Sequence, residues 1–285
     1  MARTISLAPL TMLELAPPDM VTCAAQAGYT NLGLRLHPVM PGLDVNYPII
    51  GDTPMVREVL RRLGDTGMQV LDVEFIRITP DTRVADHVPM LETAARLGAK
   101  HVLAGGNDAD ERRLAGRFGE LCDAALPLGL TINLEPIPLL DVRTLAQVAR
   151  VLDGADRPNS GIVIDPIHFD RSGERLAEAA RFPRKWLHYM QLCDAPAERP
   201  ADAAGLQYQA RYERLIPGEG GLDLAGLLRA LPRDLPIGVE VPMAALARSV
   251  GAEERARRLL AATRALLRRL EDDAGAAPAK SGNEP

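Results

Sequence analysis

Short apolar runs alternate with longer segments of helical period along almost the whole chain. The runs "TISLAPL", "TNLGLRL", "QVLDVEFIRI", "HVLAGG", "TINLEPI", "GIVIDPIHF", "LHYMQLCD" and "PIGVEVP" have the length and apolar character of buried strands. Between them lie amphipathic segments such as "PMVREVLRRLGDTG", "HVPMLETAARLG", "RLAGRFGELCDAALPLG" and "LAQVARVLDGA", several closing on the glycine expected just past a helix end. The pattern predicts eight strand-helix units.

Such alternation means parallel strands joined by crossover helices, and eight units in roughly 250 residues predict a single (β/α)8 TIM barrel. The rival is a doubly wound open sheet, but its glycine-rich phosphate turn is missing after the first strand, where "LTMLELAPPD" stands. The segment "EERARRLLAATRALLRRLEDD" supplies the closing helix. The barrel is expected over residues 1–271 and a disordered tail over 272–285, with no second domain.

A barrel of this kind places chemistry at the C-terminal ends of its strands. The last four strands each carry a polar residue there: Glu135 in "NLEP", Asp165 in "IDPIH", Gln191 in "MQLCD" and Glu240 in "VEVP". Three carboxylates converging on one partly buried mouth repel one another, and a divalent cation is the simplest way to hold them ionised. Three acids and an amide offer only oxygen, so Mg2+ or Mn2+ suits them better than zinc, with Co2+ admitted. The plainer reading pairs each acid with an arginine or a backbone N–H.

Composition excludes other classes. The 285 residues carry a formal net charge of −5, against a surface built for nucleic acid or acidic membranes. Three cysteines without paired spacing give neither a zinc ribbon nor a disulfide framework. The start has the form of no signal peptide, and no apolar run is long enough to span a bilayer. These features predict a soluble, cytoplasmic protein acting on a small polar molecule, with no nucleic-acid or membrane partner.

Taken as a set, Glu135, the Asp165-x-x-His168 pair, a fourth ligand position before Asp194, Arg214 ahead of "PGEGG", and Glu240 resemble the sugar isomerase/epimerase group of xylose isomerase-like TIM barrels. The resemblance spans residues 3–265. It implies a metal held by Glu135, Asp165, the fourth position and Glu240, with Glu135 and Glu240 as acid and base on opposite faces of the substrate. It further implies substrate contacts from His168 and Arg214, and paired barrels forming a homodimer or homotetramer. The fourth position departs from the group: Gln191 stands where a histidine is usual, as in dehydratases of the same superfamily that act on 3-dehydroshikimate. His188 lies an odd number of positions away and so points to the other face of its strand.

Other residues bear on the substrate. Arg35 and Glu74 can contact it or pair with each other, and Arg35, Arg77 and Arg214 could together bind a carboxylate or phosphate. His87 and His101 read as structural. Two long connections, after the second and seventh strands, read as lids and make Tyr208, Tyr212 and Arg199 candidate contacts. The leading expectation is a metal-dependent isomerase or epimerase of a keto sugar or cyclic polyol working through an enediolate-type intermediate. The alternative is a dehydratase of a cyclic keto-acid such as 3-dehydroshikimate. A DNA-repair endonuclease is disfavoured by five histidines and negative charge, and a binding protein that has kept the barrel is the remaining reading.

Overall fold

The computed structural model of the protein describes residues 3–40 and 42–276. Its strands are β1 (Ile5–Leu7), β2 (Asn31–Arg35), β3 (Gln69–Ile78), β4 (His101–Gly106), β5 (Thr131–Glu135), β6 (Ser160–Ile162), β7 (Met190–Leu192) and β8 (Ile237–Val239). All pair in parallel, in the order β6-β5-β4-β3-β2-β1-β8-β7. The two end strands approach each other where Ile162 and Leu187 form a parallel bridge and the Gln191 N–H donates to the Ile164 carbonyl at 3.2 Å. The sheet therefore curls into the expected (β/α)8 barrel.

Local chemistry sets the helices as anticipated. Thr53 caps Pro54–Thr66 by accepting from the Val56 N–H, and Gly67, at φ 69°, ends it in the left-handed region open to glycine. Thr144 and Gln147 form a reciprocal capping box on Leu145–Ala155. The outer faces of the strands meet these helices in one large apolar core, while Leu71, Phe75, Leu103, Val163 and Tyr189 form a separate small cluster.

Two expectations are corrected, and one long connection proves to hold a helix. The run "GIVIDPIHF" is not one strand: β6 ends at Ile162, and Asp165 caps a short helix, Pro166–Arg171, by accepting from the Ile167 N–H. Proline at the first helical position and an acid before it favour that turn over a strand. The long connection after β7 contains a helix, Ala203–Tyr212, begun by Asp202, which accepts from the Gly205 N–H. The last helix runs from Ala252 to Ala276, past the expected end of the barrel at 271, and Asp273 on it pairs with Arg229 at 2.8 Å. The rest of the expected tail, 277–285, lies outside the described residues.

Gly105 shapes the inner wall. A Cβ there would lie 2.5 Å from the Phe75 ring and 2.8 Å from Leu140, so only glycine lets both side chains approach the strand.

Candidate active site

The strand ends deliver the expected residues to one mouth. Glu135 closes β5, Asp165 and His168 sit on the turn and short helix after β6, Gln191 lies within β7, and Glu240 follows β8. Glu74, on β3, points inward beside them, and all six are buried. Atoms of Glu135, Asp165 and His168 that could bind a metal lie within 4.8 Å of one another. His168, expected as a substrate contact, thus also stands at ligand distance.

A chain of alternating donors and acceptors runs through the site. Arg35 donates to Glu74 at 2.8 Å. The Gln191 amide nitrogen donates to Glu240 at 3.0 Å and to Glu74 at 3.4 Å. Arg214 then bridges Glu240, at 3.0 Å, and Asp165, at 2.6 Å. The Cys193 thiol and the Ile167 N–H complete the environment of Asp165, at 3.2 and 3.0 Å. Four carboxyl groups (Glu74, Glu135, Asp165, Glu240) thus face two guanidinium groups (Arg35, Arg214), a formal surplus of two negative charges if all were ionised.

That surplus shapes proton affinity. Burial, reinforced by Asp165 and Glu240, holds the Glu135 carboxyl well above its usual range. Burial likewise raises Glu240 to about 8, with Glu74 and Asp165 adding to it against the pull of Arg214. Asp165 also suffers from burial, but Arg214 and His168 outweigh it and hold it below the ordinary range. Burial lowers His168 to about 4, so its ring is neutral near pH 7, as a metal ligand must be.

The residues fit a divalent cation. Oε1 of Glu135 and Oε1 of Gln191 are buried acceptors with no hydrogen-bond partner among the described residues. Buried acceptors of this kind are costly unless something positive meets them. A divalent ion held by Glu135 beside Asp165 and His168 would meet the first of these and offset the formal surplus.

Above these groups lies a cavity of about 710 Å3. Glu135, His168, Arg214 and Glu240 form its polar end, and Phe75, Leu103, Ile137 and Leu140 an apolar wall. Arg77 also lines it, and its guanidinium makes no ion pair or hydrogen bond among the described residues.

Other candidates fall elsewhere. His188 bonds Asn133 at 2.7 Å and stacks on His101, which also stacks on Tyr189, in a structural cluster outside that cavity. Tyr212 lines a smaller adjoining cavity of about 290 Å3, Tyr208 projects outward with 56% exposure, and Arg199 is exposed.

Sequence reasoning missed two organisers. Asp194 was only a landmark, yet its carboxylate accepts from the backbone N–H groups of Ala195, Gly218, Gly220 and Leu222, fixing the turn that follows Arg214. Asp44 accepts from the Val39 and Met40 N–H groups at 2.9 Å each and pairs with Arg211, joining the two long connections over the mouth. An acid three residues past Gln191, followed by a glycine-rich turn, was a readable signal for the first; nothing local signalled the second.

Fold and site together define a barrel whose acidic mouth is suited to metal-assisted chemistry. Residues 22–266 match the xylose isomerase-like TIM barrel family, and the chain belongs to it. Among curated proteins, it is 27% identical over 158 residues to an inosose isomerase of Bacillus velezensis, covering 52% of this chain and 54% of that protein. It is 29% identical over 185 residues to a 3-dehydroshikimate dehydratase of Pseudomonas aeruginosa, covering 60% of this chain and 28% of that protein. The matched segment spans about half the length of the inosose isomerase and less of the dehydratase. The IolI protein, solved with a zinc atom bound, superposes with a TM-score of 0.76 at 20% identity, over 94% of this chain and 99% of that one. At that identity the likeness speaks for the fold.

Proposed function

We propose that the chain is a divalent-metal-dependent isomerase or epimerase of a keto sugar or cyclic polyol, acting through an enediolate-type intermediate. The observation that carries this reading is the pair of buried oxygens without a partner among the described residues, Glu135 Oε1 and Gln191 Oε1, in a site where carboxyl groups outnumber guanidinium groups and burial raises the proton affinity of three of them. Glu135, Asp165, Gln191 and Glu240 would hold the ion, and their oxygen-rich set favours Mg2+ or Mn2+, with Co2+ as a substitute. When bound, the ion supplies a Lewis acid that makes a C–H bond next to a carbonyl more acidic.

The remaining work falls to the side chains. Glu135 and Glu240, both with raised proton affinity, are suited to take a proton from one carbon and return one at the same or the neighbouring carbon. Neutral His168 can donate to or accept from a substrate hydroxyl. Arg214 keeps Asp165 ionised and presents positive charge to a developing oxyanion. A small polar substrate, a cytoplasmic setting and a homodimeric or homotetrameric assembly belong to the same reading.

A second reading, a dehydratase of a cyclic keto-acid such as 3-dehydroshikimate, is supported by Arg77 and the apolar residues that line the same cavity as the acids. A free guanidinium suits a carboxylate, and Phe75, Ile137 and Leu140 suit a ring face better than a ring of hydroxyls.

The test is metal content and thermal shift of the purified protein with Mg2+, Mn2+, Co2+ and Zn2+, followed by substrate screening. About one bound ion, and folded Glu135→Gln and Glu240→Gln variants with little turnover, support the site; full activity in either variant rejects it. A product absorbing in the near ultraviolet selects the dehydratase, since isomerisation creates no conjugated ring.

A further inference from the structure

Gln191 can present either its oxygen or its nitrogen to the site, because rotating the terminal amide by half a turn exchanges the two at almost no steric cost. Its neighbours remove that freedom. Two hydrogens of Nε2 meet two carboxylates, Glu240 Oε1 at 3.0 Å and Glu74 Oε1 at 3.4 Å. The reverse orientation would set the amide oxygen against the oxygens of both carboxyl groups. Glu74 is itself held by Arg35 at 2.8 Å and is wholly buried, so it cannot turn away.

We infer that Glu74 is the positioning residue that aims the Gln191 oxygen at the metal, and that it thereby sets a preference for hard, oxygen-seeking divalent ions. The inference rests on the metal-dependent reading above. It also accounts for the company Gln191 keeps. A histidine there, with one ring nitrogen lent to a metal, has a single N–H and could serve only one of the two carboxylates. Glutamine serves both and still has an oxygen free, and that oxygen is one of the buried acceptors lacking a partner among the described residues.

The test compares Mn2+ and Zn2+ affinities of the full chain by calorimetry, with the thermal midpoint of each metal-free protein as a control. Glu74→Leu removes the acceptor, Glu74→Gln keeps a carbonyl acceptor without the charge, and Glu74→Leu/Arg35→Leu removes the arginine that the first variant strands. Outer-shell partners of metal ligands are worth about 10- to 100-fold in affinity, so Glu74→Leu should weaken Mn2+ by at least about tenfold and lower the Mn2+/Zn2+ preference. Glu74→Gln should stay close to wild type in both. The double variant should recover thermal stability but not Mn2+ affinity.

Unchanged Mn2+ affinity in Glu74→Leu overturns the inference and leaves the metal reading intact. Equal losses in Glu74→Leu and Glu74→Gln make the residue a source of charge and overturn its aiming role. Affinity that returns with stability in the double variant reduces Glu74 to a packing partner of Arg35. A wild-type protein that binds neither ion removes the metal reading and this inference together.

Discussion

Arg214 and Asp165 form an ion pair of 2.6 Å in which both side chains are almost completely shielded from water. The same guanidinium reaches Glu240 at 3.0 Å and donates to the Ala210 carbonyl at 2.7 Å, so one cation ties the end of β8, the turn after β6 and the helix Ala203–Tyr212 together. It is the principal counter-charge to the acids at the polar end of the mouth.

Removing that cation should be expensive. In Arg214→Met, Asp165 and Glu240 keep their burial and lose their partner, and breaking a buried pair from one side costs roughly 3–5 kcal/mol. Urea unfolding of the metal-free variant should register a loss of that size. Added divalent ion should restore part of it, because the ion supplies the missing positive charge; a variant as stable as wild type without metal would contradict this account.

The raised carboxyls predict the sign of a pH effect. Burial lifts Asp72 and Glu74 to about 7 each and Glu240 to about 8, from ordinary values of 3.8 for Asp72 and 4.5 for the glutamates. Each binds its proton more tightly folded than unfolded, so its contribution to stability is full below the ordinary value and is lost as pH rises through the folded one. Asp165, held below its ordinary value, acts in the opposite sense in acid, and His101 and His168, lowered by burial to about 3 and about 4, act in that sense up to about pH 7. The thermal midpoint of chelator-treated protein should therefore fall between about pH 7 and about pH 8.5, where the histidines no longer titrate in either state. Glu240→Gln should reduce the slope, and saturating Mn2+ should flatten it by taking the place of the protons. A midpoint rising over this range would refute the assignment.

Gly105 offers a steric test of the cavity wall. In Gly105→Ala the new methyl would lie 2.5 Å from the Phe75 ring, which is too stiff to bend away and must shift toward the cavity it lines. Overpacking of this kind costs about 1–3 kcal/mol. The functional signature should be a KM raised about tenfold, as expected when substrate binding loses roughly 1.4 kcal/mol, with a smaller change in kcat. Adding Phe75→Leu should relieve the crowding; if KM does not recover, the wall is not where substrate packs.

How far the chain could be read in advance depended on the range of the signal. The barrel was legible because its evidence is local and repeated: strand-length apolar runs, helical spacing and glycine stops recur along the chain. Glu135, Asp165, Gln191 and Glu240 were legible because each stands at or near a strand end, where the barrel rule gives position a meaning. The turn at Asp165 was misread since an apolar run does not by itself distinguish a strand from a short buried helix. Asp44 and its bond to Arg211 were not legible at all, for the two residues are 167 positions apart and meet only once both connections fold over the mouth. The arginines were half legible: their clustering was anticipated, but only the folded chain separates Arg214, committed to Asp165 and Glu240, from Arg77, which has no such partner among the described residues.

That separation yields the prediction that best divides the two substrate classes. The Arg77 side chain is exposed at the mouth and has no partner among the described residues, so Arg77→Ala should leave the thermal midpoint and metal affinity unchanged. If the substrate is a cyclic keto-acid, its carboxylate loses a charge-assisted partner worth about 1.5–3 kcal/mol, and KM should rise roughly 10- to 150-fold. High salt should mimic part of the effect in wild type and none of it in the variant. If the substrate is a neutral keto sugar or polyol, no charge meets the guanidinium, and KM should change by less than about threefold with no salt dependence. Parallel steady-state measurements with one substrate of each class would assign the mouth of this barrel to an acid or to a neutral polyol.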